Sequence, residues 1–279
     1  MQHARSNGRS RSNRNENIQE APGSGSIRTA QGDSRSMSTF VLVHGAWHGA
    51  WCWYRVVPLL EAAGHRVMAP DLPGHGIDRT PIAGVTMAAY ADRICAVLDQ
   101  AGEAAILVGH SMGGAIVSEA AALRPQRVRV AVYLAAFLLG DGESVLQRAS
   151  SDSEGLVMPN LKFAEDESYA TIAPDRVREI FYADCPDEDV ALARSLLVPQ
   201  ALEPVGAPIH TRRAGSADVP RAYIECLQDR AIPPALQRSM QAAQPCRASR
   251  SMNTSHSPFF SAPRELVGHL LDFAAMDGR

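Results

Sequence analysis

From Thr39 onward the chain alternates short, unbroken apolar runs with longer amphipathic stretches. A strand that is apolar at every position needs cover on both faces, as inside a parallel sheet flanked by helices. The strand candidates are 40–44 (FVLVH), 66–70 (RVMAP), 105–109 (AILVG), 128–135 (VRVAVYLA), 221–227 (RAYIECL) and 246–252 (CRASRSM), all of ordinary strand length. Amphipathic patterning predicts helices over 53–63, 86–100, 112–123, 234–243 and 262–275. The expected fold is therefore α/β, a mostly parallel and doubly wound sheet. With 279 residues, 46% of them hydrophobic, the chain can bury one large core.

Two regions break the rhythm. Residues 140–219 carry clustered acids, the prolines Pro159, Pro174, Pro186, Pro199, Pro204 and Pro208, and no convincing strand. A segment of that length between strands reads as a helical cap over a site, which leaves 39–139 and 220–279 as the core. At the other extreme, the first 36 residues contain almost no large apolar side chain, too few to offset the entropy of ordering. A disordered extension over 1–38 is expected, with Met37 as an alternative start. It has no apolar signal segment, and Glu16, Glu20 and Asp33 speak against a transit peptide.

Charge and cysteine usage narrow the function. Twenty-seven basic against thirty acidic side chains, a formal net charge of −3, make no field for nucleic acid and favour a small, weakly charged substrate. The longest apolar run, 130–139, is far short of the roughly 18 residues of a membrane span. Cys52, Cys95, Cys185, Cys226 and Cys246 are odd in number, scattered and without a C-x-x-C pair. That pattern argues against a disulfide framework and a zinc site, and for reduced thiols in a cytoplasm.

The chemistry centres on Gly109-His110-Ser111-Met112-Gly113, a G-x-S-x-G sequence with an apolar run before it and a helical pattern after it. A serine on such a strand-to-helix turn is presented at the carboxyl end of the sheet, where open α/β folds bind ligands. Ser111 is the candidate nucleophile, and the Met112 N–H, at the helix start, is a candidate oxyanion donor. A second donor is expected from the loop after the first strand, at Ala46, with Gly45 letting the backbone approach. His44 and His48 in that loop have no carboxylate at metal-ligand spacing and are read as packing or hydrogen-bonding residues.

The base should follow the acid in the order Ser, Asp, His. His210 falls in the cap and His269 inside a helical pattern, whereas His256 lies in the loop after 246–252 and is the expected general base. Asp218 precedes the 221–227 strand and would sit at the wrong end of the sheet. Asp229 follows it and is the expected acid, with Asp141, after the preceding strand, in reserve.

With these residues in place the chain resembles the plant methylesterase and hydroxynitrile lyase family of α/β-hydrolases, and related bacterial esterases acting on pyrethroid-type esters or aryl carbamates. The likeness runs through FVLVHGAWHGAWCW (40–53), LLEAAGHRVMAPDLPGHG (59–76), ILVGHSMGG (106–114), VYLAAF (132–137), RAYIECLQDRAIP (221–233) and NTSHSPFFSAPREL (253–266), and is loosest in the cap. The resemblance implies the triad Ser111, Asp229 and His256, oxyanion donors at Ala46 and Met112, no metal or cofactor, and a possible homodimer. It also implies that lyases carry threonine after the first-strand histidine and lysine after the catalytic histidine, where this chain has Gly45 and Ser257. Serine cannot supply the positive charge that accepts a developing cyanide. The expected activity is a serine carboxylesterase for small apolar or aryl esters, pyrethroid-type esters or aryl carbamates; the alternatives are a hydroxynitrile lyase and a non-catalytic small-molecule receptor.

Overall fold

The computed structural model describes residues 37–212 and 219–276. The expected disorder over 1–36 and the rejected acid Asp218 lie outside the described residues. Ser38, the last residue of the expected extension, is buried, and its N–H donates to His65 Nδ1 at 3.2 Å.

The first half of the sheet consists of β1 (Thr39–Val43), β2 (Arg66–Met68), β3 (Ala105–His110) and β4 (Val128–Leu134). The cap supplies β5 (Leu161–Phe163), β6 (Tyr169–Ile172) and β7 (Gln200–Ala201), and the second half adds β8 (Arg221–Cys226) and β9 (Ala248–Met252). The central sheet runs β2-β1-β3-β4-β8-β9 with every neighbouring pair parallel. β1 and β3 are buried at every residue, which is why their runs carry no polar alternation. The edge strands β2 and β9 are more exposed, and β9 presents Ser249, Arg250 and Ser251 to solvent, side chains that blunt an open edge.

The connecting helices are α1 (Val57–Ala62), α2 (Met87–Ala101), α3 (Gly113–Leu123), α4 (Val145–Ser150), α5 (Val177–Phe181), α6 (Asp187–Leu196), α7 (Glu203–Gly206), α8 (Pro234–Ala243), α9 (Pro258–Ser261) and α10 (Pro263–Ala274). In α2 the Thr86 hydroxyl accepts from Ala89 N–H at 3.0 Å, and Gly102 at φ +80° ends the helix. Its buried stripe, Met87, Tyr90, Ala91, Ile94 and Leu98, follows the helical period. Among the described residues no helix is long and apolar enough to cross a membrane.

The segment between β4 and β8 differs from its prediction in one respect. It is not free of strands: β5, β6 and β7 form a small antiparallel sheet beside four short helices. The segment is fastened to the core through polar contacts. The Trp47 indole N–H donates to the Ala170 carbonyl at 2.9 Å, and Val198 N–H donates to the Trp47 carbonyl at 3.0 Å. Asp189 of α6, wholly buried, pairs with Arg55 Nε at 3.0 Å and accepts from the Tyr54 hydroxyl.

Candidate active site

The strand order reverses direction between β1 and β3, so the loops leaving their carboxyl ends meet, Val43 pairing with Gly109. Such a switch point opens a crevice at the sheet edge. The chain leaving β3 turns sharply into α3, and Ser111 on that turn has φ +55°, a conformation an L-residue occupies at a cost. Three backbone hydrogen bonds hold it there. Ser111 N–H donates to the Leu134 carbonyl at 3.2 Å, and the Ser111 carbonyl accepts from Phe137 N–H and Gly114 N–H, both at 3.1 Å. The neighbouring glycines are needed for clearance: a Cβ on Gly109 would come within 2.5 Å of the Gly113 carbonyl oxygen, and one on Gly113 within 2.8 Å of the His44 carbonyl oxygen.

Asp229 follows β8 and His256 follows β9, so both emerge at the same sheet edge as Ser111. His256 Nδ1 bonds Asp229 Oδ2 at 2.8 Å, and both side chains are sealed from solvent. The carboxylate is itself fixed: Oδ1 accepts from Ala231 N–H at 2.7 Å and Ile232 N–H at 2.9 Å, and Oδ2 from the Gln237 amide at 3.3 Å. With Nδ1–H donating to Asp229, Nε2 is the nitrogen left to accept a proton. The backbone carbonyl of His256 accepts from His110 Nε2 at 2.9 Å, and the two imidazoles lie 4.5 Å apart. The reserve acid Asp141 is elsewhere, its carboxylate accepting from Thr211 and Arg212 N–H. His269 approaches Glu265 one helical turn away, and His210 meets Glu119 through its backbone N–H.

Ala46 and Met112 are both buried, and among the described residues their N–H groups donate to no protein acceptor. An N–H without a protein acceptor is free to meet an incoming one. The loop histidines do the structural work expected of them. His44 Nε2 accepts from Leu72 N–H at 3.1 Å, and His48 bridges the Ala46 carbonyl at 2.7 Å and the Tyr182 hydroxyl at 2.6 Å. Burial above all pushes His44 and His110 well below the ordinary imidazole range and His48 down to about 4, so all three are neutral near pH 7. Among the described residues no group of three acidic, histidine or cysteine side chains is placed to hold a metal ion.

Sequence reading did not single out Gln237, which braces Asp229 from α8, or the contacts of His110 and Asp184 with the His256 loop. His110 and Asp184 reach residues 146 and 71 positions away, and Gln237 reaches back across the turn before α8; each acts through a single side chain, and no local pattern marks such a contact. A recess of about 230 Å³ also opens at the junction of cap and core, walled by Trp47, Ile172, Val177, Leu197, Val198 and Pro199.

A nucleophile-type turn, a buried Asp–His pair and two free N–H donors on one edge of a parallel sheet define the hydrolase class of α/β proteins. The chain belongs to the α/β hydrolase family, whose profile matches residues 40–269. It is 35% identical over 254 residues to putative methylesterase 11, chloroplastic, of Arabidopsis thaliana, spanning 87% of this chain but only 65% of that one. It is 36% identical over 253 residues to a pyrethroid hydrolase of Sphingobium wenxiniae, covering 86% of this chain and 88% of the relative. The crystal structure of a pyrethroid hydrolase from Sphingobium faniae superposes with a TM-score of 0.77 at 32% identity, over 86% of this chain and 98% of that one.

Proposed function

We propose that the chain is a serine carboxylesterase. The observation that carries this is the 2.8 Å bond from His256 to a fully braced Asp229 on the sheet edge where Ser111 is held at φ +55°. In this reading His256 Nε2 takes the Ser111 hydroxyl proton as the oxygen attacks the ester carbonyl. The tetrahedral oxyanion is held by Ala46 and Met112 N–H, and His256 then gives the proton to the departing alcohol. Water, deprotonated by the same imidazole, releases the acid. Asp229 keeps the imidazole in the right tautomer and stabilises its cation without taking the proton.

The names of two relatives, a putative methylesterase and a pyrethroid hydrolase, support an ester substrate; small apolar or aryl esters and aryl carbamates are the classes proposed. The recess beside Trp47, the residue after Ala46, has mostly apolar walls, with Arg194 and Thr171 among them, and is the proposed seat for one arm of such a substrate. Cyanohydrin cleavage is disfavoured at Gly45, where any Cβ would lie 2.8 Å from that of Ser111. The test is a panel of p-nitrophenyl esters, pyrethroids, aryl carbamates and mandelonitrile on the full chain and on Ser111→Ala. Ester turnover lost in the variant, by about 10⁴-fold or more, is expected. Cleavage of mandelonitrile alone would make the chain a lyase, and turnover of nothing in the panel would leave the receptor reading.

A further inference from the structure

The loop that carries His256 is held from the cap. Ser255 and Ser257 flank His256 in the chain, and consecutive cap residues between α5 and α6 reach one each. Asp184 Oδ2 accepts from Ser255 N–H at 2.9 Å, Asp184 Oδ1 accepts from the Ser255 hydroxyl, and the Cys185 thiol lies 3.7 Å from the Ser257 carbonyl. The acid loop is tied in the same way. Leu156 N–H donates to the Arg230 carbonyl at 2.8 Å, and Glu179 of α5 pairs with Arg230 Nη1 at 3.0 Å.

Asp184 itself is exposed, whereas Ser255 and His256 are each 1% exposed. A carboxylate with water available therefore directs both oxygens at one residue of the base loop. Charge-assisted bonds to a backbone N–H and to the side chain of the same residue fix that residue's orientation more firmly than either would alone. Within the core the loop is also held by His110 on the His256 carbonyl, by Gln228, whose backbone N–H donates to the Thr254 carbonyl and whose side-chain amide donates to Asn253 Oδ1, both at 2.9 Å, and by the Thr254 hydroxyl on Cys226 Sγ, besides the bond from the imidazole to Asp229.

We propose that Asp184 is a positioning residue for His256, so that the cap sets where the imidazole is held relative to Ser111. This rests on the reading of Ser111, His256 and Asp229 as a triad. A base displaced by about 1 Å can lose some 10²-fold in rate while substrate binding is little affected.

The test compares Asp184→Ala, Asp184→Asn and Ser255→Ala in the full chain, by ester kinetics and by the low-field NMR resonance of the His256 Nδ1 proton, which needs no substrate. Asp184→Ala is expected to lower kcat by about ten- to hundredfold with KM nearly unchanged, and to broaden or shift the resonance. Asp184→Asn keeps an acceptor for Ser255 N–H and should recover most of both. Ser255→Ala keeps the backbone bond and should fall between. A kcat within twofold of the parent together with an unmoved resonance in Asp184→Ala, an effect confined to KM, or an asparagine variant no better than alanine would overturn the proposal. The two readouts also separate it from the esterase reading. A parent inactive on every ester whose resonance still responds to Asp184→Ala would remove the activity and keep the positioning role. Ser111-dependent turnover indifferent to Asp184 would do the reverse.

Discussion

A Cβ on Gly45 would lie 2.8 Å from the Ser111 Cβ, 3.1 Å from the His110 carbonyl oxygen and 3.2 Å from His110 Nδ1. The first of these is closer than side-chain carbons approach, and both neighbours are pinned: Ser111 by three backbone hydrogen bonds, His110 through its bond to the His256 carbonyl. Even alanine at this position must push the first-strand loop, and with it the Ala46 N–H, away from the nucleophile. Gly45→Ala is therefore expected to lower ester kcat by about 10²-fold, the usual cost of losing one oxyanion donor. Initial rates with a p-nitrophenyl ester read the effect, with the melting temperature as a control for folding. An unchanged kcat would mean that the loop yields without cost. Threonine, which the resemblance sets at this position in lyases, makes a larger demand on the same space.

At the scale of elements, Asp189 of α6 is one of the polar ties between cap and core. Its side chain is 1% exposed, and its partners are Arg55 and the Tyr54 hydroxyl. Arg55 keeps 33% of its side chain in contact with solvent, so removing the acid returns a cation to water and does not strand it in a dry interior. Asp189→Ala should thus cost about 1–3 kcal/mol, the range for leaving hydrogen-bonding partners unmatched, and not the larger penalty of an isolated buried charge. Urea unfolding followed by tryptophan fluorescence would measure it, and a loss below about 0.5 kcal/mol would show that the pair does not hold the cap. Legibility in the sequence also divided by element. The six core strands could be read to within two residues at either end, the inner ones because strands covered on both faces carry apolar runs, and the edge strands β2 and β9 only from their place in the alternation of strand and helix. The cap strands escaped because each has two to four residues, β5 exposes Lys162 and Phe163, and β6 alternates too briefly for a period to register. Ser111 could be read from its flanking glycines, and Asp229 and His256 from the strands they follow. Gln237 and Asp184 could not, since a single polar side chain in a helix or a loop leaves no periodic pattern to show what it touches.

For the molecule as a whole, the buried histidines set the response to acid. The unfolded chain protonates His48 below its ordinary 6.5, whereas the folded protein holds it neutral down to about 4. Between those values the unfolded state binds the extra proton, so the stabilisation is complete above 6.5 and declines as the pH falls toward 4. His44, His75 and His110, lowered mainly by burial, act in the same direction. The melting temperature should fall between pH 7 and pH 5, and His48→Gln should flatten that slope; each histidine fully engaged contributes about 1.4 kcal/mol per pH unit. A melting temperature independent of pH over this range would contradict the assignment. The strand order has its own consequence at this scale. The proposed nucleophile and oxyanion donors follow β1 and β3, the acid and base follow β8 and β9, and within the sheet the two halves are joined where β4 pairs with β8. A polypeptide severed within the intervening segment would carry one half of the chemistry on each fragment, and ester turnover would then report reassembly, making the fold a natural basis for a fragment-complementation reporter.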